Sequence, residues 1–369
     1  MILQADPGRS FRTDREGILE AVRRVLDSGW YILGEETRAF ETAFARYNGC
    51  RHCLGTANGT DAIELILRGL GIGVGDKVAT VGNTATATVA AIERTGAQIR
   101  FADIEPERFT ISAASLEELL SKEPGIRAVV AVHLFGGAAD LDELLRTTRK
   151  FRIPLIEDCA QAHGTEYRGR KCGTFGIAGS FSFYPTKNLG AFGDGGAVVT
   201  DDDALYERMK ALRQYGWRQR YISEFPGINS RLDELQAAIL SVKLPRLDEN
   251  NAARRKIAAR YREGMRDLDG IIPPVEAENT RHVYHQFVVR IPNGRRQALM
   301  EHLRANGIGC AIHYPEAIPL QQGYRAIPLP CSLETTFRIN EEILSLPMYP
   351  ELTDDEVEKI LLAVRSFFR

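Results

Sequence analysis

The chain has 369 residues, 44% of them hydrophobic and 26% charged, with a formal net charge of −2. That is ordinary globular composition, long enough for a large core and two domains. The near-neutral balance excludes an electrostatic case for nucleic acid or an anionic membrane surface, and no apolar run reaches membrane-spanning length.

Met1 to Asp27 carries many charges and no uninterrupted apolar stretch, so no secretory leader is expected and the expected compartment is the cytoplasm. The six cysteines are unevenly spaced and read as reduced thiols. Cys50-Arg51-His52-Cys53 has no second Cys-x-x-Cys to complete it, and no metal site is expected.

In chain order, Ile18, Ala21, Val22 and Val25 predict a helix over 12–28, ending at Ser28-Gly29. The aromatic pair Trp30-Tyr31 follows, beside Gly34, and either packs or lines a pocket. Phe40, Ala43 and Phe44 predict a second helix from Glu36 to Tyr47. Leu54-Gly55-Thr56-Ala57-Asn58-Gly59-Thr60-Asp61 then opens a helix carrying Ala62, Ile63, Ile66, Leu67 and Leu70. Small residues before a helix start let backbone N–H groups converge on an anion, while Thr60 or Asp61 is placed to be the N-cap.

Strand and helix now alternate. Strands are predicted at Lys77 to Val81, Gln98 to Ile104, Arg127 to Leu134 and Pro154 to Asp158. Helices are predicted at Thr86 to Thr95, Ala114 to Leu120 and Leu141 to Lys150. This pattern predicts a largely parallel sheet covered on both faces, with ligands at the carboxyl ends of the strands. Asp158 closes one such strand, a place for a helix cap or for a carboxylate directed at a ligand. Two further strands, Ser180 to Tyr184 and Ala197 to Thr200, surround Lys187.

A helix over 204–213 precedes a loop from Tyr215 to Gly227 that is rich in arginine, aromatics and glycine. Asn229-Ser230-Arg231-Leu232-Asp233 starts a long helical pattern to Tyr261, which Pro245 should kink or break. The domain change is placed there, giving a large domain over 1–245 and a smaller α+β domain over 246–369. The smaller one has strands near His282 to Ile291 and Gly309 to Tyr314 and a helix from Arg295 to Asn306. Thr353-Asp354-Asp355-Glu356 has the form of a capping box for the last helix.

The stretch Ser182-Phe183-Tyr184-Pro185-Thr186-Lys187-Asn188-Leu189-Gly190 continues into Gly193-Asp194-Gly195-Gly196. A lysine pinned in a tight turn after a strand suits an amine that attacks a carbonyl, although a lysine in a glycine-rich turn is commonly a solvated surface residue. Four features stand in order: an anion cup at Gly59-Thr60, a carboxylate at Asp158, a hydroxyl at Ser182 and an amine at Lys187. Pyridoxal 5′-phosphate (PLP) needs those four. Its phosphate would take the helix start and Ser182, its ring nitrogen would pair with Asp158, and its aldehyde would bond Lys187.

The motifs Glu157-Asp158-Cys159-Ala160-Gln161-Ala162-His163-Gly164, Ser182 to Asn188, Gly195-Gly196 and Gly227-Ile228-Asn229-Ser230-Arg231 resemble those of the DegT/DnrJ/EryC1/StrS sugar aminotransferases. The resemblance spans nearly the whole chain. It implies an α/β fold of the aspartate aminotransferase type (fold type I), and a homodimer with active sites at the subunit interface. It implies PLP as cofactor, L-glutamate as donor and a nucleotide-linked keto-6-deoxyhexose as acceptor, leaning to a dTDP-linked 3-keto sugar. Lys187 would be the cofactor lysine, Asp158 the partner of the ring nitrogen, and Gln161 a contact to the ring or its hydroxyl. Gly59, Thr60 and Ser182 would hold the phosphate, joined by Asn229 of the neighbouring subunit. Tyr184, His313 and Tyr314 match positions near the sugar or diphosphate, and Arg220 would reach the same ligand from the partner chain. One departure stands out. Many members stack an aromatic residue on the ring, but Thr84-Ala85-Thr86-Ala87-Thr88 has Ala85 there.

Other readings are a 4-keto-sugar aminotransferase acting on UDP-, GDP- or dTDP-sugars, a PLP-dependent sugar dehydratase and a non-catalytic regulatory homologue. Dehydratase relatives carry histidine where this chain has Lys187. The regulatory reading lacks a DNA-reading motif or a basic face. A dinucleotide-binding enzyme is set aside because Gly193-Asp194-Gly195-Gly196 lacks the G-x-G-x-x-G spacing.

Overall fold

The computed structural model describes residues 1–368. Two helices open the chain, α1 (Pro7–Thr13) and α2 (Arg15–Ser28), where the periodicity predicts one. Asp14 separates them, with a non-helical φ/ψ pair of −112° and 19°. α2 stops at Gly29, whose φ of +66° favours glycine. The alternating region resolves into α3 (Glu35–Asn48), β1 (His52–Thr56), α4 (Gly59–Gly69), β2 (Lys77–Val81), α5 (Thr86–Arg94), β3 (Gln98–Ala102), α6 (Ala113–Lys122), β4 (Ile126–Val132), α7 (Leu141–Phe151) and β5 (Leu155–Asp158). Two-residue strands β6 (Glu166–Tyr167) and β7 (Arg170–Lys171) precede β8 (Ala178–Ser182) and β9 (Gly196–Thr200), on either side of Lys187. Then come α8 (Asp203–Leu212), the short pair β10 (Trp217–Gln219) and β11 (Ile222–Ser223), α9 (Glu234–Lys243) and α10 (Leu247–Met265). The chain ends with β12 (Thr280–Arg281), β13 (Phe287–Arg290), α11 (Arg296–Ala305), α12 (Glu334–Glu342), β14 (Ile343–Leu346) and α13 (Asp354–Phe368).

The main sheet has seven strands in the order β1-β9-β8-β5-β4-β2-β3. β9 runs antiparallel to both neighbours, and the other pairings are parallel. Alternation along each strand divides the side chains between two faces. Val129, Ala131, Phe181 and Val199 pack with Phe40 and Phe44 of α3 and Leu116 of α6. Ala128, Val130, Ile156 and Val198 pack with Ile63 and Ile66 of α4, Val89 of α5 and Met209 of α8. A second large core gathers Ile257 and Tyr261 of α10, Phe287, Leu303, Leu344 and Val364. Ile2 is part of that core, because its backbone pairs with Gly307 and Gly309 (2.9 and 2.7 Å).

Several elements differ from the sequence expectation, each for a contact that periodicity does not carry. Residues 229–233 are not helical: Asn229 bridges Gln214, and Ser230 Oγ accepts from Ala57 N–H (3.0 Å). α9 therefore begins at Glu234, and Pro245 sits in a single 3₁₀ turn, Leu244–Arg246. The loop over 215–227 contains the β10–β11 hairpin. In the predicted strand 282–291, Phe287 to Arg290 pair with β14, while the N–H groups of Val283 and Gln286 donate to Gly136 O and Phe135 O. In 309–314 one bridge remains, Ala311 to Ser345. The N-cap of α4 is Asn58, whose Oδ1 accepts from Asp61 N–H (2.8 Å), rather than Thr60 or Asp61. The capping box at Thr353 forms as expected, with Thr353 N–H donating to Glu356 (3.0 Å) and Glu356 N–H to Thr353 Oγ1 (3.2 Å). Among the described residues no helix is long and apolar enough to cross a membrane.

The N-cap of α3 is Gly34, which has no side chain to accept from the first turn. Glu234 of α9 does so instead. Its carboxylate accepts from the N–H groups of Gly34 (2.7 Å), Glu36 (2.9 Å) and Thr37 (2.9 Å), and from the Thr37 hydroxyl. This buried carboxylate at a helix N-terminus also pins the Trp30–Gly34 segment to α9. Glu234→Ala strips several charge-assisted hydrogen bonds at once and is expected to cost about 3 kcal/mol of stability. A urea midpoint unchanged from wild type would contradict this role.

Candidate active site

Asp158 ends β5 and is buried. Its Oδ2 accepts from Thr88 Oγ1 (2.8 Å) and its Oδ1 from Ala160 N–H (3.1 Å). Thr84 and Thr88 share a hydroxyl contact of 2.9 Å, so the first turn of α5 supports the carboxylate. Thr88 is a functional neighbour that sequence reasoning passed over. Its signal is the spacing of two threonines four apart at a helix start, a pattern as common in ordinary helices.

Across β8, Ser182 lies on the same face as Asp158, because neighbouring strands keep their side chains in register. Gly59 opens α4 directly against it: a Cβ on Gly59 would lie 2.7 Å from the Ser182 Cβ. A Cβ on Gly196 would lie 2.4 Å from the Asn58 carbonyl. Two glycines thus allow the α4 start to meet the β8–β9 edge. With Asn58 occupied by Asp61 N–H, the N–H groups of Gly59 and Thr60 have no acceptor among the described residues. Together with the Ser182 hydroxyl they form a cradle suited to an anion.

Lys187 lies in the turn after β8, where its N–H donates to Tyr184 O (2.8 Å). Burial pushes its amine down from the ordinary lysine value to about 8, against the upward pull of Asp158. About a tenth of such amines are neutral at pH 7, far more than for a solvated lysine. Three histidines surround this charge. His313 is pushed down to about 4 by burial and by Lys187, and its Nδ1 pairs with Ser345 Oγ (2.8 Å). His285 is held well below the usual range by burial, then by Lys187 and Arg254. His163 is pushed to about 3 by burial and Lys187, with its ring against Phe181 and Phe183.

Gln161 accepts from Phe135 N–H through Oε1 (2.7 Å) and donates through Nε2 to the Tyr314 hydroxyl (3.1 Å). Burial and the Asp158 charge push that phenol up to about 12, so Tyr314 stays a neutral hydroxyl. The structure therefore brings Gly59, Thr60, Asp158, Gln161, Ser182, Lys187, His313 and Tyr314 to one end of the sheet. Tyr184 is exposed beside them, its N–H to Ser182 Oγ (3.3 Å). Asn229 and Arg220 are exposed, and Asn229 precedes Ser230, whose Oγ meets Ala57 N–H just before the cradle. Arg220 lines a groove with Trp30, Tyr31, Tyr215, Trp217 and Tyr221.

His133, Glu157 and Cys159 also lie close together. Both Glu157 oxygens are taken by N–H donors, and His133 uses Nε2 toward Glu157 (2.9 Å) and Nδ1 toward Ala139 N–H (3.1 Å). This group is a hydrogen-bonded anchor, and its lone pairs do not converge on a cation.

The Lys187 environment makes a signed prediction for the apoprotein. Competitive acetylation read by mass spectrometry should give Lys187 a midpoint near 8, and Asp158→Asn should lower it further, because a nearby negative charge favours the protonated amine. A midpoint at the ordinary lysine value of 10.5 would overturn this account of the site.

Comparison with known proteins identifies the family. The model of the DegT/DnrJ/EryC1/StrS aminotransferase family matches residues 12–365. A dTDP-3-amino-3,4,6-trideoxy-alpha-D-glucose transaminase of Micromonospora megalomicea subsp. nigra is 43% identical over 362 residues, 96% of either chain. A pleiotropic regulatory protein of Geobacillus stearothermophilus is 38% identical over 359 residues, 95% of this chain and 94% of that one. The crystal structure of S. venezuelae DesV in complex with a ketimine intermediate superposes with a TM-score of 0.96 at 41% identity, covering 100% of this chain and 98% of that one. The mostly parallel mixed sheet with helices on both faces is the architecture of fold type I, and the chain belongs to the DegT/DnrJ/EryC1/StrS aminotransferase family.

Proposed function

We propose that this chain is a PLP-dependent aminotransferase that moves an amino group from L-glutamate to a nucleotide-linked keto-sugar. The observation that carries the reading is the set of three groups at one sheet end: the Gly59–Ser182 cradle, Asp158 and the Lys187 amine near 8. The residues present fit the cofactor. The free N–H groups of Gly59 and Thr60 and the Ser182 hydroxyl would hold its phosphate. Asp158, steadied by Thr88, would pair with its ring nitrogen, and Lys187 would bond its aldehyde. When bound, PLP supplies an electron sink that acidifies the substrate C–H bond.

The chain's own residues do the rest. The Lys187 Nζ would take the proton from the amino-acid Cα as a base and give it back as an acid, and its lowered pKa suits both directions near neutrality. Gln161 and Tyr314 hold each other beside the carboxylate, and His313 stays neutral and keeps a ring nitrogen for hydrogen bonding. For the acceptor, similarity to the Micromonospora transaminase, named for a dTDP-linked 3-amino sugar, supports a dTDP-linked 3-keto-6-deoxyhexose. We further propose a homodimer in which Asn229 and Arg220 serve the partner's site. The exposed aromatic groove around Trp30, Tyr215 and Tyr221 supports a covered surface. A purely regulatory role is not favoured, because the lysine, the carboxylate and the cradle are all present.

A half-reaction tests the proposal. The protein is loaded with PLP and converted with L-glutamate, and the visible band is followed after adding dTDP-3-keto or dTDP-4-keto 6-deoxyhexose separately. Conversion by glutamate and return of the band with the 3-keto isomer are expected, and return with the 4-keto isomer alone would move the aminated carbon. Lys187→Ala should lose about 10³-fold or more in turnover. A protein that never takes up PLP would end the enzyme reading.

A further inference from the structure

The Lys187 turn is irregular backbone. It closes on itself through Lys187 N–H to Tyr184 O and Ala191 N–H to Phe183 O (both 2.8 Å). Those bonds hold the turn's shape, and the pairing of β8 with β5 places its start beside Asp158, but neither fixes Lys187 and Asn188 against Gln161 and the rest of the loop that follows Asp158. The following residue, Asn188, is 8% exposed and ties the turn to two other parts of the chain. Its Nδ2 donates to Asn251 Oδ1 (2.8 Å) and to Val283 O (3.1 Å), and its Oδ1 faces His285 Nδ1 (3.2 Å). Asn251, on α10 and 2% exposed, donates its own Nδ2 to His163 O (2.9 Å).

The carbonyls of Val283 and His163 only accept, so both amide orientations are determined, and His285 must carry its hydrogen on Nδ1. His163 O lies in the same short stretch as Asp158 and Gln161. Gly164 makes the approach possible: a Cβ there would lie 2.7 Å from Asn251 Nδ2 and 2.5 Å from the Tyr47 hydroxyl. One buried amide chain thus runs from the residue beside the lysine to the loop that follows the carboxylate.

We propose that Asn251 is a positioning residue: with Asn188 it forms an amide bridge that sets the spacing between the Lys187 turn and the Asp158–Gln161 loop. This rests on the roles given above to Lys187 and Asp158. Asn251 acts through Asn188 and His163 O, and not by contact with the reacting atoms. The physical reason for such a bridge is that proton transfer by a lysine depends steeply on placement, and a displacement of about 1 Å costs up to about 100-fold. The other outside ties of the turn, Lys243 Nζ to Gly190 O and Phe192 N–H to Gln236 Oε1, come from α9 and do not reach the loop after β5.

The test uses the PLP-loaded protein and three variants. Asn251→Ala removes the bridge. Asn251→Leu keeps the side-chain volume and removes both the acceptor for Asn188 and the donor to His163 O without adding a charge. Gly164→Ala pushes Asn251 away from the other side. The rate constant of the glutamate half-reaction is expected to fall about 10- to 100-fold, with the apparent glutamate affinity changed by less than about threefold. The pH midpoint of the visible band of the lysine-bound cofactor should shift in the same variants, a readout that loss of stability alone would not move. Should Asn251→Ala fail to fold, the volume-conserving Asn251→Leu is judged by the same two readouts. A folded variant with the wild-type rate constant and band midpoint overturns the bridge, whatever its melting temperature. A wild-type protein that takes up no PLP, or is not converted by glutamate, overturns the aminotransferase reading itself and this proposal with it.

Discussion

Glu157 is fully buried in β5, the middle strand of the sheet, and its carboxylate is held by four donors. His133 Nε2 and Gly173 N–H reach one oxygen (2.9 and 2.7 Å), and the N–H groups of Phe175 and Gly176 reach the other (2.7 and 2.8 Å). A carboxylate this deep is tolerated only when its lone pairs are filled, and filling them draws the 173–176 loop onto the sheet. That loop leads directly into β8. The glycines make the approach possible: a Cβ on Gly176 would lie 2.2 Å from Leu155 O, and one on Gly179 2.4 Å from the Gly173 Cα. The placement of β8 beside β5, and with it of Ser182 and the Lys187 turn beside Asp158, depends on this anchor.

The adjacent residues Glu157 and Asp158 divide the labour of structure and chemistry because a strand alternates its faces. Glu157 points toward the side of Phe181 and Phe183, where the anchor is sealed. Asp158 points toward α5 and meets Thr88. The same alternation puts Ser182 on the ligand side between two core phenylalanines. An acidic pair that looks redundant in the sequence is thus two carboxylates in different environments, one saturated by backbone donors and one with lone pairs to spare.

Around the amine the structure gathers neutral groups. Burial keeps His163, His285 and His313 uncharged and Tyr314 protonated, so Lys187 has Asp158 as its attractive partner and burial as its opponent. Such a balance would suit the nucleophile and proton carrier proposed for Lys187. α9 and α10 complete the support from behind. The Lys243 ammonium reaches Gly190 O, and Arg254 reaches Tyr284 O, His285 O and Met348 O (3.3, 3.3 and 2.9 Å). The helical pair thus ties the lysine turn to the second core.

Much of this was legible in the residues themselves. Apolar runs bounded by glycine and alternating with amphipathic stretches determined the parallel sheet, since a strand buried on both faces must be apolar throughout and each crossover needs a helix. Glycines before a helix, a strand-end aspartate, a serine and a lysine marked the candidate site as an ordered set, and the fold brings them to one end of the sheet. Tertiary structure alone decided what depends on partners distant in sequence. Asn58 took the cap that Thr60 or Asp61 was expected to take, and Glu234 capped a helix some two hundred residues away in the chain. Residues 229–233 stayed extended because Ser230 was needed at Ala57, and 282–286 paired with a turn at 135–136 in place of a strand. The supports of the site, Thr88 under Asp158 and Asn251 behind Lys187, carry no signature in a single sequence: a buried threonine or asparagine is identified by the atom it faces, and only the folded chain supplies that atom.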